Sequence, residues 1–155
     1  MPRDPRKLAS DVVLMRERIF AEKGSEHIWD IKQVRGGLID LEFLVQYLQL
    51  VHASNVPQCL DQNTSGALRK LASNGVLDWG AAETLIDGAW RLQTLTQILR
   101  LCTDKSFEAA TAPLGLKNLL VRATNSPDFA RLESRLIETQ ADISALFKKH
   151  LVDII

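Results

Sequence analysis

One segment of the chain has the residue types and spacing that could bind a phosphate or another anion. Gly36 and Gly37 come immediately before a strongly apolar stretch, with Lys32 and Arg35 just upstream. Paired glycines let the backbone approach a ligand closely, and the free N–H groups of a helix's first turn attract anions. The same pattern also fits a flexible turn whose basic residues are solvated. On spacing alone, the solvated turn is the favoured interpretation.

Asp40 is the second unusual residue, because it falls on the apolar arc of the helix expected after the glycines. At 100° per residue, Asp40 shares that arc with Leu44 and Tyr47, whereas Glu42 and Gln46 belong to a separate polar stripe. A carboxylate on an apolar arc costs free energy unless it is paired or hydrogen-bonded. Asp40 and Glu42 point about 160° apart, so they are not expected to chelate one ion together.

Two roles are open for Asp40. In a structural role it pairs with Lys32 or Arg35 and fixes the glycine turn. In a functional role it faces a nucleotide or the metal ion of that nucleotide. The structural role is the favoured one.

Other sources of chemistry are missing from the sequence. It contains neither Gly-x-Gly-x-x-Gly nor Gly-x-x-x-x-Gly-Lys-Ser/Thr, and His27, His52 and His150 lack the spacing of metal ligands. No Ser-His or Cys-His pair stands out, so no catalytic residue and no metal ligand is assigned. Lys plus Arg and Asp plus Glu number 19 each, which argues against a nucleic-acid partner.

The elements that position these residues are predicted to be helices. The chain has 155 residues, of which 46% are hydrophobic and 25% charged, as in an ordinary globular domain. Apolar residues recur with a period of 3.6 and never alternate as in strands. We therefore expect a single all-α domain over residues 1–155, folded as an antiparallel bundle of about five to six helices.

Cap residues mark the expected helix starts: Asp4, the Gly36-Gly37 pair, Asn63 or Thr64, Asp78, Pro113, and Ser126 followed by Pro127 and Asp128. The apolar stripe of the first helix is predicted to be Leu8, Val12, Met15 and Ile19, which leaves Arg16 and Arg18 on an exposed face.

Trp79 and Trp90 are expected in the core of a central helix that runs to about Leu101. Cys59 and Cys102 are expected to be buried apolar residues in a reducing compartment. No stretch suits a membrane span or a targeting signal, so the prediction is a cytoplasmic protein.

The segment from Asp30 to Gln46 resembles the signature of glutamine-synthetase adenylyltransferase, a family related to PII uridylyltransferase. It reads Asp30-x-Lys32-x-x-x-Gly36-Gly37-x-x-Asp40-x-Glu42-Phe43-x-x-Gln46. Met15-Arg16-Glu17, the leucine-rich stretch Leu68 to Leu77, and Ala89-Trp90-Arg91-Leu92 through Leu99-Arg100 extend the resemblance over roughly residues 10 to 102.

The resemblance implies a helical domain that follows a nucleotidyltransferase domain, an arrangement that occurs twice in that family. One half attaches AMP to a tyrosine of glutamine synthetase, and the other removes it by phosphorolysis. The Gly-Ser turn and the Asp-x-Asp metal pair of the transferase domain are absent here, so this chain alone is expected to be inactive. Residues 104–113 depart from the Gln-Thr-His-x-Leu-Pro stretch of the first half, and a long helix ends the chain. Both features resemble the carboxy-terminal, adenylylating half.

By this resemblance, the residues that face the nucleotide cleft are Lys32, Arg35, Gly36, Gly37, Asp40, Glu42 and Gln46. The implied cofactors are ATP and Mg²⁺, used by the full-length enzyme and not bound tightly by this domain alone. The implied partners are the nucleotidyltransferase domain, glutamine synthetase and the PII signal protein. Two alternatives stay open: a non-catalytic bundle that docks glutamine synthetase or PII, and a free-standing structural module.

Overall fold

The structure, a computed structural model, describes residues 4–104 and 106–155. Over this part of the chain it contains six α-helices and no β-strand, which confirms the all-α helical bundle. The helices are α1 (Pro5–Lys23), α2 (Leu38–His52), α3 (Thr64–Ser73), α4 (Trp79–Cys102), α5 (Leu114–Ala123) and α6 (Phe129–Phe147). A 3₁₀ turn covers Pro57–Cys59, and a wider π-type turn, Lys148–Val152, continues from α6.

Side-chain caps explain most of the helix starts. The carboxylate of Asp4 accepts a hydrogen bond from the Arg6 N–H at 3.1 Å, and Pro5 follows as the first helical residue of α1. Asn63 caps α3 and Asp78 caps α4 in the same way. Gly24 follows the last residue of α1, and its N–H donates to the Phe20 carbonyl. Each cap pairs a backbone N–H that would otherwise lack a partner, so these boundaries follow from short-range sequence.

One predicted start is wrong by two residues. The cap of α6 is Asp128, whose carboxylate accepts from the Arg131 N–H at 2.8 Å. Ser126 instead hydrogen-bonds the Thr124 hydroxyl at 2.9 Å, before the helix begins. Asp128 takes the cap position because it alone lies three residues before that free N–H group.

Helix α4 is the central element of the bundle, as its broad apolar surface predicts. It contacts α2, α3, α5 and α6. Its residues Ala82, Leu85, Ala89, Leu92 and Leu95 are fully buried. They belong to one continuous core that also includes apolar residues of the other five helices.

Several residues that were predicted to be buried are exposed, and one that was predicted to be exposed is buried. Met15 is 57% exposed whereas Arg16 is 0% exposed, so the inward face of α1 is rotated by one residue from the predicted stripe. Trp79 and Trp90 are 51% and 39% exposed. Cys102 is exposed, and only Cys59 of the two cysteines is buried.

Within the described residues, no helix combines the length and apolar character that a bilayer crossing requires.

Candidate functional site

The centre of the signature segment is a buried ion pair between α1 and α2. The guanidinium of Arg16 donates from Nε to one carboxylate oxygen of Asp40. The other oxygen accepts the Gly36 N–H at 2.6 Å. The partner of Asp40 is therefore Arg16, and the predicted pairing with Lys32 or Arg35 is wrong. The structural role predicted for Asp40 is retained, because its carboxylate does hold the glycine turn.

Arg16 also ties the preceding loop to α1. Its Nη2 donates to the carbonyl oxygen of Gln33 at 3.0 Å and lies 3.5 Å from that of Val34. One buried side chain thus joins α1, the first turn of α2, and the end of the connector, the name used here for residues 24–37. A charge is tolerated at this depth because the carboxylate and the carbonyls compensate it.

The two glycines are needed for close contact between segments of this chain. Gly36 has φ +76, and a Cβ there would clash with the carbonyl oxygen of Gln140 in α6. A Cβ at Gly37 would clash with the carbonyl oxygen of Ile31. The freedom of glycine is thus used for packing the connector against α6 and against itself.

The N–H groups around the turn already have partners inside the protein. Gly37 donates to the carbonyl of Val34 at 2.9 Å, and Leu38 to that of Ile31 at 2.9 Å. The Ile39 N–H donates to the carbonyl of Lys32 at 3.3 Å. The Gly36 N–H donates to Asp40. These four backbone N–H groups are therefore already hydrogen-bonded inside the protein and are not available to bind a phosphate. Any contribution from this turn to ligand binding must therefore come from its side chains.

Three other signature residues lie at the surface. Lys32, Glu42 and Gln46 are exposed. Arg35 is half-buried: it pairs with Glu17 at 2.8 Å, and its guanidinium lies 3.8 Å from the centre of the Phe20 ring. The signature therefore has a buried layer that shapes the connector and an exposed layer that is open to a partner or ligand.

The connector is fastened to α6 by polar contacts at two points. Trp29 Nε1 donates to the Glu133 carboxylate at 2.8 Å, and Gln140 Nε2 donates to the Ile28 carbonyl at 2.8 Å. The Trp29 ring also stacks on Phe129, with centroids 5.6 Å apart. These contacts fix the backbone from which Lys32 projects.

Lys32 lines a surface groove of about 520 Å³, which we call the connector groove. It lies between the connector, the end of α4, and the segment that follows α4. Its ionisable lining residues are Lys32, Arg100, His27, Asp30, Asp104 and Glu108. Of the signature residues assigned to the cleft, Lys32 alone lines this groove. Lys32 and Arg100 thus line the same groove, whereas Arg35, Glu42 and Gln46 do not.

A second groove, also of about 520 Å³, lies between α3 and α4 and is called here the tryptophan groove. The exposed Trp79 and Trp90 line it from α4, and Arg69 lines it from α3. The two tryptophans are eleven positions apart, which places them on one helix face.

Comparison with known proteins assigns the family. The family model described as GlnD PII-uridylyltransferase matches residues 13–151. The chain belongs to the GlnD PII-uridylyltransferase family. This agrees with the resemblance carried by the Asp30 to Gln46 signature, and it extends the similarity through α5 and α6.

Curated relatives of this family member carry a more specific name. A bifunctional glutamine synthetase adenylyltransferase/adenylyl-removing enzyme of Rhodopseudomonas palustris (strain BisB5) is 46% identical over 96% of the chain. Proteins of the same name from Bradyrhizobium diazoefficiens and Xanthobacter autotrophicus are 44% and 42% identical. The chain spans about 15% of the length of each of these relatives, so it corresponds to one domain of them.

In this domain of the GlnD PII-uridylyltransferase family, the positions of two residues do not follow from the sequence pattern. Arg16 was expected on an exposed face, although a buried Asp40 already required a buried cation, and the Met15-Arg16-Glu17 motif supplied one. Arg100 belongs to the resemblance described above, which assigns it no role. Its place beside Lys32 depends on how the end of α4 packs near the connector, and no local pattern encodes that packing.

Proposed function

We propose that this chain is the helical domain of a glutamine-synthetase adenylyltransferase and that its Lys32 surface forms one wall of the nucleotide and substrate cleft. The carboxy-terminal, adenylylating half is the expected context. In such an enzyme, a neighbouring nucleotidyltransferase domain transfers AMP from ATP to a tyrosine of glutamine synthetase, and the other half removes it by phosphorolysis. This activity would regulate nitrogen assimilation in the cytoplasm.

The observation that carries this proposal is the exposure of Lys32 in the connector groove. The buried layer (Arg16, Asp40 and the two glycines) holds the backbone that follows Lys32, and the contacts of Ile28 and Trp29 with α6 hold the backbone that precedes it. A rigid loop with an exposed cation suits a surface that must meet a charged substrate, because little conformational entropy is lost on binding.

ATP and Mg²⁺ are assigned to the whole enzyme. The metal ion would be held by the nucleotidyltransferase domain, and this domain by itself would be inactive. In the described residues, three or more His, Cys, Asp or Glu side chains do not come together in a way that could hold a metal ion. Lys32 and Arg100 line the same groove, and both are exposed cations of the kind that bind phosphate oxygens.

The test is AMP transfer from radiolabelled ATP to glutamine synthetase by the longer protein that contains this domain. Lys32→Ala should lower kcat/KM at least about tenfold, the loss expected for one charge-assisted contact. Lys7→Ala removes an exposed lysine of α1 and serves as the matched control. The proposal is rejected if both variants transfer AMP like the unaltered protein.

A second candidate function is docking of glutamine synthetase or the PII protein by a bundle that takes no part in catalysis. The exposure of Trp79 and Trp90 favours it, because tryptophan and arginine are enriched among residues that dominate binding energy. In this case Trp79→Ala and Trp90→Ala should weaken partner binding in a titration, while Lys32→Ala should leave both binding and AMP transfer unchanged.

A further inference from the structure

We infer that the tryptophan groove is a docking site for glutamine synthetase and that it takes an arginine side chain of that partner against Trp79, Trp90 and Glu83. This inference rests on the proposed function, in which glutamine synthetase is the protein substrate, and it deepens that function by naming a docking surface and the chemistry of the contact. The tryptophan groove and the connector groove share no lining residue, so the two surfaces can be tested separately.

The tryptophan groove follows one face of α4 for about three helical turns. Four of its lining residues are at positions i, i+4, i+7 and i+11 of that helix, which lie on the same side: Trp79, Glu83, Ile86 and Trp90. The two tryptophans are therefore about 16 Å apart along the helix axis. Helix α3 packs beside α4 and forms the opposite wall. A groove of this length suits a segment of a partner protein.

The two tryptophan rings of this groove are open to a partner. Trp79 is 51% exposed and Trp90 is 39% exposed. Over residues 4–104 and 106–155, neither ring is in contact with another aromatic ring or with a cation of this chain. Tryptophan attracts cations more strongly than the other aromatic residues do, and a planar guanidinium stacks on its face. The exposed rings therefore favour arginine as the side chain that the partner presents.

The charges in the tryptophan groove also favour a basic partner. Glu83 and Asp87 line it from α4, against one cation, Arg69, from α3. Asp87 already pairs with Arg91 at 3.0 Å and lies 3.6 Å from Arg135. Glu83 is exposed and, in the part of the chain that the structure describes, has no ion pair. Glu83 is therefore the carboxylate that is left for a cation of the partner.

Glutamine synthetase is the partner to which we assign this surface. The curated relatives of the chain are named for adenylyl transfer to glutamine synthetase. An enzyme that modifies one side chain of a folded protein gains affinity and specificity from contacts remote from the modified residue. Tryptophan and arginine are the residue types that most often dominate the binding energy of such contacts.

The first experiment is a calorimetric titration of glutamine synthetase with the 155-residue chain, without ATP. Trp90→Ala and Glu83→Gln should each weaken binding about tenfold. Glu138→Gln makes the same carboxylate-to-amide change at an exposed position of α6 and should leave binding unchanged. The inference is overturned if the chain shows no saturable binding, or if Glu83→Gln binds glutamine synthetase as the unaltered chain does.

The second experiment determines the sign of the charge that the partner presents. If that charge is an arginine, Arg69→Gln removes a repulsion and should leave binding unchanged or make it up to a few-fold tighter. Weaker binding by Arg69→Gln together with tighter binding by Glu83→Gln would mean an acidic partner segment, which contradicts the inference.

A third measurement, sedimentation velocity of the chain alone, tests whether a second copy occupies the groove. We expect a monomer. A dimer that Trp90→Ala dissociates would assign the groove to self-association and would reject glutamine synthetase as its occupant. AMP transfer by the longer Lys32→Ala protein decides the proposed function separately, because Lys32 does not line the tryptophan groove and the titration contains no ATP.

Discussion

Asp40 is the residue on which the signature segment depends. Its two carboxylate oxygens are divided between the Arg16 guanidinium and the Gly36 N–H. Removing one partner of a buried ion pair leaves the other as an uncompensated charge, which costs far more than the pair contributes. Asp40 therefore acts on the connector by holding its backbone, and it influences Lys32 only through that backbone.

Asp40→Asn should lower the free energy of unfolding by about 2–4 kcal/mol. The asparagine can still accept from the Gly36 N–H, but the buried Arg16 charge loses its counter-ion. Urea denaturation followed by circular dichroism measures the change.

Two controls identify the buried charge as the cause. Glu42→Gln makes the equivalent carboxylate-to-amide change at the surface of α2 and should alter stability by less than about 0.5 kcal/mol. In the double variant Arg16→Met/Asp40→Asn, the loss should be smaller than the sum of the two single losses. Additive losses would contradict the pairing.

His150 is expected to make the stability of the fold depend on pH in the mildly acidic range. Burial lowers the pKa of this imidazole, and the charge of Lys149 lowers it further. The unfolded chain, where the histidine pKa is about 6.5, therefore binds a proton more readily than the folded protein. Stability is complete above that pH and falls as the pH drops through and below it.

Urea unfolding at about pH 7.5 and about pH 5.5 tests this dependence, since carboxylates titrate mostly below that range. His150→Gln should reduce the loss of stability between the two pH values. It should not abolish the loss, because burial also lowers the pKa of His52. An unchanged pH dependence in His150→Gln would show that His150 protonates equally well in both states.

At the scale of elements, the connector is the feature that gives this bundle its candidate site. It has little regular structure, yet it is held at Ile28 and Trp29 by α6 and at its end by Arg16 of α1. An isolated backbone bridge between Ser25 and Val34 closes it into a loop. These contacts at several points of the connector hold Lys32 at one position on the surface.

Gly36→Ala tests the packing of the connector against α6. The substitution forces a side chain into a φ of +76 and against the Gln140 carbonyl, so we expect a loss of about 3 kcal/mol or more. Gly75→Ala is the matched control, since Gly75 has a φ of +74 but no atom within 4 Å of the added Cβ. Gly75→Ala should lower the free energy of unfolding by about 1 kcal/mol, which is the cost of the positive φ alone. Equal losses, measured by thermal unfolding, would mean that the contact with α6 contributes nothing.

The starts of several helices could be predicted from the sequence, because residues close together in the chain determine them. Asp4, Asn63 and Asp78 cap helices at the expected places, because a cap needs only a side-chain acceptor a few residues from a free N–H. The inward face of α1 was not predictable in the same way. An apolar stripe through Met15 and a buried arginine at Arg16 differ by only 100° of rotation, and the choice is made by Asp40 on another helix.

At the scale of the whole molecule, the exposed tryptophans show that the apolar pattern of a helix does not determine which of its residues are buried. Helix α4 is apolar over a wide arc, so its sequence predicts a central position without saying which part of the arc its neighbours cover. The neighbours α2, α3, α5 and α6 leave Trp79 and Trp90 at the surface. Burial of a given residue is a property of the assembled bundle, and so is the presence of Lys32 and Arg100 in the lining of one groove.

Fluorescence quenching by acrylamide measures this arrangement directly. Trp79 and Trp90 should be quenched readily in the isolated chain, whereas Trp29, 5% exposed and hydrogen-bonded to Glu133, should be protected. The Trp79→Phe/Trp90→Phe variant should therefore emit at shorter wavelength and be quenched several times more weakly. Strong quenching of that variant would mean that the connector is not packed on α6 as described. In the longer protein, protection of Trp79 and Trp90 on addition of glutamine synthetase or PII would favour the proposed docking at the tryptophan groove, and unchanged quenching would favour the proposed cleft role of the Lys32 surface.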